Sequence, residues 1–287
     1  MANTVSNAYI ETFESNVRHL AQQQMTKLRS TVQEKNEKSK SHNWERLGTI
    51  EAADKSGRLV ATPVQDTPWS RRVSLVGTKH AGDSTEQEDP SQMLADPNSN
   101  LTRALGMAMN RAVDDVIIAA ATGTATTEGG GSATFPAGQK IGTGAAPISF
   151  DYITQVQKLF MDNDIDPSVP KVAVVSPAQV QTLMKLTENT SKDYVKTGLD
   201  QLSSTGIVPN WMGFTWIVST RLLHPAGGET SCLFYTKDAI GLHVANDIKA
   251  RVAEDPSVSF AWRIYTYMTM GAVRVEDEQI VHLHVLD

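Results

Sequence analysis

His282 and His284 come nearest, among the residues of this sequence, to the spacing of a metal site. Residues two apart on a β-strand share one face, so both imidazoles could approach the same ion. Two ligands from one strand do not complete a metal site, and the other histidines are scattered along the chain. We therefore expect a solvated strand face at this pair, and no bound metal.

Two further segments begin like ligand-binding motifs and then depart from them. Residues 162–166 start like a calcium loop, but Pro167 and Ala173 occupy the positions that require glycine and glutamate, so we expect a helix terminus and a turn. Residues 138–141, Gly-Gln-Lys-Ile, lack the paired glycine and the Ser or Thr of a phosphate-binding loop. The H-E-x-x-H and G-x-S-x-G motifs are absent. The sequence thus predicts neither an enzyme nor a cofactor.

Composition narrows the class of protein further. The chain has 287 residues, of which 40% are hydrophobic and 20% charged, as in a globular protein of one large or two smaller domains. The single cysteine, Cys232, excludes an intrachain disulfide, and we expect it to be a small core residue. The longest apolar run is residues 116–121, too short to span a membrane. A net charge of −6 excludes a basic footprint for nucleic acid over the whole chain.

Residues 44–90 have the pattern of a long polar hairpin. Short β-rich pieces at 46–52, 59–64 and 71–76 are separated by turn signals, among them Asp54 to Gly57, where Gly57 is available for a positive φ. A polar two-stranded extension is poorly stable alone, so this segment needs a partner.

Charges of both signs cluster at the end of that segment. Arg71, Arg72 and Lys79 are followed by an acidic stretch containing Glu86, Glu88 and Asp89. Adjacent basic and acidic patches are typical of complementary subunit contacts, and two ordinary solvated faces are an equally good interpretation.

Two long helices are predicted in the first half of the chain. An amphipathic pattern covers residues 4–35, and such an exposed arm must lie on a neighbour to be stable. Residues 98–122 form the clearest element, ended by Gly123. Its apolar stripe is predicted at Leu101, Leu105, Ala108, Ala112, Val116 and Ala119, widened by Ala104, Met109, Val113 and Ile117.

The second half alternates helix and strand and then becomes all β. Residues 123–147 are rich in Gly, Ala and Thr, which predicts a flexible junction. Helices are expected from Ser149 to about Met161 and from Pro177 to about Glu188. Strands are expected at 171–175, 214–219, 232–236, 260–270, 272–276 and 279–286, with a bulge or bend at Gly271.

The order of these elements resembles that of the major capsid proteins of tailed bacteriophages, which have the HK97-type fold. The stretches that carry the resemblance include Asp66-Thr67-Pro68-Trp69-Ser70-Arg71-Arg72-Val73, the run from Asp114 to Ala125, Val175-Ser176-Pro177-Ala178-Gln179, Lys237-Asp238-Ala239-Ile240-Gly241-Leu242 and Gly271-Ala272-Val273-Arg274. The likeness covers almost the whole chain, and it lies in the order and spacing of many stretches.

The resemblance implies an α+β, HK97-like fold with five parts. These are an N-terminal helical arm (1–43), an extended β-hairpin loop (44–90), a peripheral domain (91–148) with a long spine helix at 98–122, an axial domain (149–247), and a return to the peripheral β-sheet (248–287). The implied intersubunit contacts are Arg46, Asp54, Lys55, Gly57, Arg71, Arg72, Lys79, Glu86, Glu88 and Asp89.

The same resemblance implies a function and partners. The chain would form pentamers and hexamers of an icosahedral shell around packaged double-stranded DNA, which a mild positive balance in residues 1–47 would contact without sequence preference. Other implied partners are a separate scaffold protein, a portal protein and a decoration protein, with assembly in the host cytoplasm and no membrane. Two alternatives stay open: an encapsulin-like shell of a cellular compartment, and an α/β enzyme built on residues 149–247.

Overall fold

The computed structural model of the chain describes residues 22–61, 64, 66–86, 97–185, 211–225 and 227–287, with only the backbone of residues 97–99. Its helices in these ranges are α1 (Pro97–Thr122), α2 (Phe150–Asp162) and α3 (Pro177–Lys185). Its strands are β1 (Gln33–Asn36), β2 (Ser41–Leu47), β3 (Trp69–Leu75), β4 (Gly77–Thr85), β5 (Ala125–Thr126), β6 (Ser132–Ala133), β7 (Lys140–Ile141), β8 (Lys171–Val175), β9 (Phe214–Val218), β10 (Glu229–Thr236), β11 (Ile240–Asp255), β12 (Ala261–Arg274) and β13 (Ile280–Leu286).

The described residues fall into two units, one formed by Thr26–Gly77, Val113–Asn246 and Thr269–Asp287 and the other drawing on Thr78–Ala112 and Asp247–Met268 together with residues 22–25. Within the second of these units, β12 lies beside β4, and the Thr266 hydroxyl donates to the Ala81 carbonyl at 3.1 Å.

The larger unit contains a five-stranded sheet in the order β7-β13-β10-β8-β9. β10 is antiparallel to β13 and β8, whereas β8 pairs with β9, and β13 with β7, in parallel. Every residue of β8 is buried, as its apolar run predicts. Helix α2 packs against β7 and β13 and buries Ile153, Val156 and Phe160.

Side-chain caps start both helices of this unit where the sequence predicts them. The Ser149 hydroxyl accepts a hydrogen bond from the Tyr152 N–H at 3.4 Å, and the Ser176 hydroxyl accepts one from the Gln179 N–H at 3.3 Å. Each cap satisfies an N–H that has no partner inside its helix. Asp162 ends α2, and residues 163–166 form the predicted turn, with Asp164 at φ 55°.

Helix α1 begins one residue before its predicted start and ends where predicted, but its buried face differs from the expected stripe. Met109, Val113 and Ile117, predicted to widen the stripe, are buried, and so is Ala121, which lay outside the prediction. Val116, predicted within the stripe, is half-buried, and Ala119 is exposed. The alanines on several faces made the stripe ambiguous. The rotation of the helix brings Asp114 inward, fully buried, where it binds the backbone of residues 27 and 28.

The predicted arm helix is wrong over residues 22–35, and its first part, 4–21, lies outside the described residues. A 3₁₀ turn at Arg29–Thr31 leads into β1, which pairs in parallel with β11 from Gly241 to Val244. Leu28 and Val32, expected on a helical stripe, are buried in this extended conformation. The partners that satisfy this backbone are distant in sequence, so local periodicity could not reveal them.

Other predicted elements also change. The described residues between 59 and 64 contain no strand. The Gly-rich segment, expected as a flexible junction, forms the β5–β6 hairpin, and β7 joins the large sheet. Strand β11 begins at Ile240, eight residues before the predicted all-β segment that starts at residue 248. Strand β12 continues through Gly271 without ending, and a Cβ there would lie 2.0 Å from the Leu75 carbonyl oxygen, so the glycine permits a close approach of two backbones.

Candidate assembly surface

The β2–β3 hairpin has one face turned toward its own subunit and one turned outward. The strands are antiparallel, with Trp44 opposite Arg72 and Leu47 opposite Trp69. Because side chains alternate along a strand, Trp44, Arg72 and Ser74 share one face, and all three are buried. We call this the inward face. The opposite face, which carries Leu47 and Trp69, is the outward face.

Trp44 is the apolar centre of the inward face. Its indole packs with Ala125, Val273 and Val275, and its Nε1–H donates to the Ser74 hydroxyl at 3.1 Å. A Cβ at Gly241 would lie 2.4 Å from the indole ring, so only glycine admits the tryptophan there. The sequence alone did not identify Trp44.

Charged groups bind the inward face to the turn between β12 and β13. Arg46 donates through Nε and Nη2 to the two carboxylate oxygens of Glu276, at 3.0 and 2.9 Å. Arg72 Nη2 donates to Asp277 Oδ2 at 2.7 Å. Arg274, fully buried, donates to the other oxygen of Asp277 and to the carbonyls of residues 123 and 133. We call this set of three arginines and two carboxylates the arginine clasp.

Burial and the neighbouring carboxylates shift the pKa values of the clasp arginines in opposite directions. Burial lowers the pKa of the Arg72 guanidinium, and the charge of Asp277 opposes that shift. The hydrogen bonds to Glu276 raise the pKa of Arg46, which is more exposed. Because an arginine stays protonated in proteins, the clasp is a set of charge-assisted hydrogen bonds with the specific geometry of a guanidinium.

The clasp includes two of the predicted intersubunit contacts. Arg46 and Arg72 were expected at an intersubunit surface, but both guanidinium groups bind carboxylates of their own chain, and Arg72 is buried. The two carboxylates directly follow β12 and lie more than two hundred residues after the arginines in sequence, so the basic cluster gave no sign of its internal partners.

The solvated face expected at His282 and His284 is wrong for His282. That ring is buried and stacks on Phe135 with centroids 3.7 Å apart, while its Nε2–H donates to the Ala121 carbonyl at 3.1 Å. Burial lowers the pKa of His282 to about 3. The Arg274 guanidinium lies over the same Phe135 ring, 4.9 Å from its centroid. The Phe135 ring, in the glycine-rich segment, therefore contacts both His282 and the clasp residue Arg274.

The outward face of the hairpin carries exposed apolar side chains. Trp69 is 70% exposed, and Leu47, directly opposite it, is 56% exposed. On the next rung Arg71 donates to Glu45 at 2.6 Å and to Glu128 at 2.9 Å. A groove of about 220 Å³ is lined by Glu45, Trp69, Ser70, Arg71 and Glu128. The sequence did not single out Leu47 or Trp69.

The described residues of the β2–β3 connection from 49 to 66 are all exposed. Asp54, Lys55 and Gly57 are exposed, as expected for contact residues, and so is Ile50. The positive φ expected at Gly57 is instead at Leu59, with φ 61°. Lys79 is exposed on β4 and Glu86 follows that strand, whereas Glu88 and Asp89 lie outside the described residues. Of the predicted contacts, the described hairpin brings together Arg46, Arg71 and Arg72.

The described residues give no sign of a catalytic or metal centre. Cys232 is fully buried, and burial raises the pKa of its thiol to about 12, as befits a core residue. In the described ranges no group of three or more His, Cys, Asp or Glu side chains is placed to hold a metal ion. Nor is any helix there long and apolar enough to cross a membrane.

Comparisons with known proteins point to one class. A sequence profile of the family described as phage capsid protein matches residues 5–286. A search of curated proteins found no match. Among solved structures, the capsid of cyanophage P-SCSP1u is similar with a TM-score of 0.78 and 14% identity, covering 100% of this chain and 96% of that one.

Two further structures give the same result. The chain of Mycobacterium phage Che8 matches with a TM-score of 0.74 and 18% identity, over 97% of both chains. The capsid of Ralstonia phage GP4 matches with a TM-score of 0.74 and 11% identity, over 99% of this chain and 97% of that one. At these identities the structures establish a shared α+β fold of the HK97 type over the full chain.

Proposed function

The chain belongs to the phage capsid protein family, and we propose that it joins its neighbours through the outward face and exposed connection of the β2–β3 hairpin. It is a major capsid protein that forms a phage shell, and its place is the virion. Of the three interpretations drawn from the sequence, this family supports the phage capsid over a compartment shell or an enzyme.

The observation that carries the hairpin's role is the exposed pair of Leu47 and Trp69. A two-stranded ribbon with a tryptophan 70% exposed is a poor arrangement for an isolated subunit, and tryptophan is prominent among the residues that dominate interfaces. The adjacent Arg71 is flanked by two glutamates, which leaves this face with no excess of positive charge. Such a face suits a protein partner better than DNA.

The finer organisation is part of the same proposal. We propose that copies gather as pentamers and hexamers, with residues 149–247 as the axial domain and residues 91–148 with 248–287 as the peripheral domain. The extended loop, 44–90, overlaps a neighbour through Asp54, Lys55, Gly57, Arg71, Lys79 and Glu86, with Glu88 and Asp89 beyond the described part. Packaged DNA, a scaffold, a portal and a decoration protein complete the partners.

The test is substitution of the outward-face tryptophan. Trp69→Ala should leave the melting temperature of the isolated subunit nearly unchanged, since substitutions at exposed positions usually alter stability by less than about 0.5 kcal/mol. It should strongly reduce the yield of capsomers and shells, measured by sedimentation velocity and negative-stain microscopy. Trp69→Phe should retain most assembly.

The matched control is Lys158→Ala, which removes a similarly exposed side chain on α2 that does not line the groove. Normal assembly of that variant beside failure of Trp69→Ala would place the contact on the outward face. Normal assembly of Trp69→Ala itself would refute a role for this face.

A further inference from the structure

Both strands of the hairpin are held to the body of the subunit by charge. Arg46 lies on β2 opposite Ser70, and Arg72 lies on β3 opposite Trp44, so the two arginines share the inward face on adjacent rungs. Their partners, Glu276 and Asp277, are consecutive residues of a single turn. These ion pairs thus hold the inward face at two points, one on each strand, in addition to the packing of Trp44 and the Arg71–Glu128 pair.

Asp277, one of the two carboxylates of the clasp, is also held by an arginine outside the hairpin. Asp277 accepts hydrogen bonds from Arg72 through one oxygen and from Arg274 through the other. The buried Arg274 also donates to the carbonyls of Gly123, at the end of α1, and Ala133, in β6. Arg274 therefore links Asp277 to the end of α1 and to the glycine-rich segment, independently of the hairpin.

Beyond the clasp the hairpin has little further support among the described residues. Arg46 is the last residue but one of β2, and after it the Gly48 N–H donates to the Pro68 carbonyl at 2.9 Å. The described residues from 50 to 61 are all exposed. A small rotation at the clasp would consequently be magnified along the connection that follows.

We infer that Arg46, Arg72, Glu276 and Asp277 are positioning residues that fix the direction in which the β2–β3 hairpin leaves the subunit. Two charge-assisted contacts, one on each strand, restrain tilt and twist together, which a single contact cannot do. The consequence for shell geometry rests on the proposed function. If the hairpin contacts the neighbouring copy, the direction of the hairpin determines where that copy binds.

The direction of the hairpin can be measured by spin-label distances in the full-length chain. Lys55→Cys places one label on the connection and Lys158→Cys places another on α2, where the lysine side chain is exposed. The native Cys232 is fully buried and does not compete for the label. The unassembled wild-type background should give one narrow distance distribution by pulsed electron paramagnetic resonance.

Loss of the clasp should broaden that distribution. Asp277→Asn removes the charge that Arg72 and Arg274 share, and Glu276→Gln removes the half-exposed pair with Arg46. Each should at least double the width of the distribution. Glu278→Gln is the matched control, because this exposed neighbour in the same turn has no arginine bound to its side chain among the described contacts.

A second variant keeps the test decisive if Asp277→Asn fails to fold. Glu276→Gln then decides, and the exchange Arg46→Glu with Glu276→Arg should restore the narrow distribution, which a nonspecific loss of stability would not do. Unchanged distances in a folded Glu276→Gln protein, or equal broadening in Glu278→Gln, would overturn the inference.

Shell assembly separates this inference from the proposed function. Broadened distances together with shells of irregular diameter, seen by electron microscopy, would support both. Broadened distances with normal, uniform shells would confirm the positioning role and contradict the use of the hairpin in assembly.

Discussion

The buried carboxylate of Asp114, in the middle of helix α1, accepts a hydrogen bond from the backbone N–H of Leu28 at 3.1 Å, across 86 residues of sequence. The N–H of Lys27 donates to the same carboxylate at 3.0 and 3.2 Å, and the Lys27 ammonium reaches the Val218 carbonyl at 2.7 Å. One acidic side chain of α1 therefore determines where the N-terminal segment crosses the helix.

Replacement of Asp114 by asparagine should destabilise the subunit. The variant loses the charge that two backbone donors share and turns an amide N–H₂ toward them, so we expect a loss of about 2–3 kcal/mol in the free energy of unfolding. Urea denaturation followed by circular dichroism measures this change, and amide exchange at residues 27 and 28 should accelerate beyond the change in global stability.

Asp115→Asn is the control for this prediction. Asp115 pairs with Arg221 at the surface, with both side chains about 40% exposed, and such pairs contribute no more than about 1 kcal/mol. Equal losses in the two variants would contradict the assignment of Asp114 as the anchor of the N-terminal segment.

The face of α1 that is buried gives a second prediction. Ile117 is 1% exposed, so Ile117→Ala should cost about 2–5 kcal/mol through lost burial and the cavity it leaves. Val116→Ala, at a half-buried position expected in the core from the sequence pattern, should cost clearly less. Thermal or urea unfolding distinguishes the two, and a larger loss for Val116→Ala would mean that α1 is rotated toward the original stripe.

Elements with strong local signals were predictable, whereas those defined by distant partners were not. Helix α1, the Ser149 and Ser176 caps and strand β8 all follow from local pattern. Strand β1 was predicted as part of a helix, because the strand is stabilised by pairing with β11, some two hundred residues away. Residue spacing within one segment cannot show such pairing.

The buried His282 predicts a loss of stability in mild acid. Its pKa is lowered to about 3 in the folded state, chiefly by burial, whereas in the unfolded chain it is near the ordinary value of 6.5. Below that value the unfolded state binds the extra proton and the folded state does not. Stability should therefore be complete above about pH 6.5 and fall toward pH 3, by up to about 1.4 kcal/mol per pH unit.

Denaturant midpoints between pH 7 and pH 5 measure the contribution of the buried histidines, since most carboxylates stay ionised in that range. Burial lowers the pKa of His284 as well, so this residue adds to the slope that His282 causes. His282→Gln keeps a donor for the Ala121 carbonyl and should flatten the pH dependence. His284→Gln measures the second contribution and should flatten the slope less, because that ring is less buried. A wild-type slope in His282→Gln would show that another group is responsible.

The thiol of Cys232 should be inert in the folded protein. Full burial excludes reagents, and the pKa of about 12 leaves almost no thiolate at neutral pH. Reaction with a disulfide reagent should be slow in buffer and rapid in urea, whereas Lys55→Cys supplies a second thiol that reacts at once. Fast modification of the native chain without denaturant would contradict the described core.

The assembly surface was only partly predictable for a related reason. The sequence placed Lys55, Gly57 and Arg71 on an extension, where they are exposed. It also placed Arg46 and Arg72 there, although their carboxylate partners in the clasp turn both inward. Charge alone does not distinguish an internal pair from an intersubunit one. Nor did the sequence indicate that Trp69 is exposed, since the residue type alone does not distinguish an exposed tryptophan from a buried one.

The central claim is that copies of this chain associate into a shell, and sedimentation velocity combined with negative-stain microscopy tests it most directly. The purified chain should be examined alone and together with the products of its neighbouring genes. We expect particles of five or six times 31.2 kDa, closed shells, or both. A monomer of 31.2 kDa at every concentration, unchanged by any of those partners, would contradict the account.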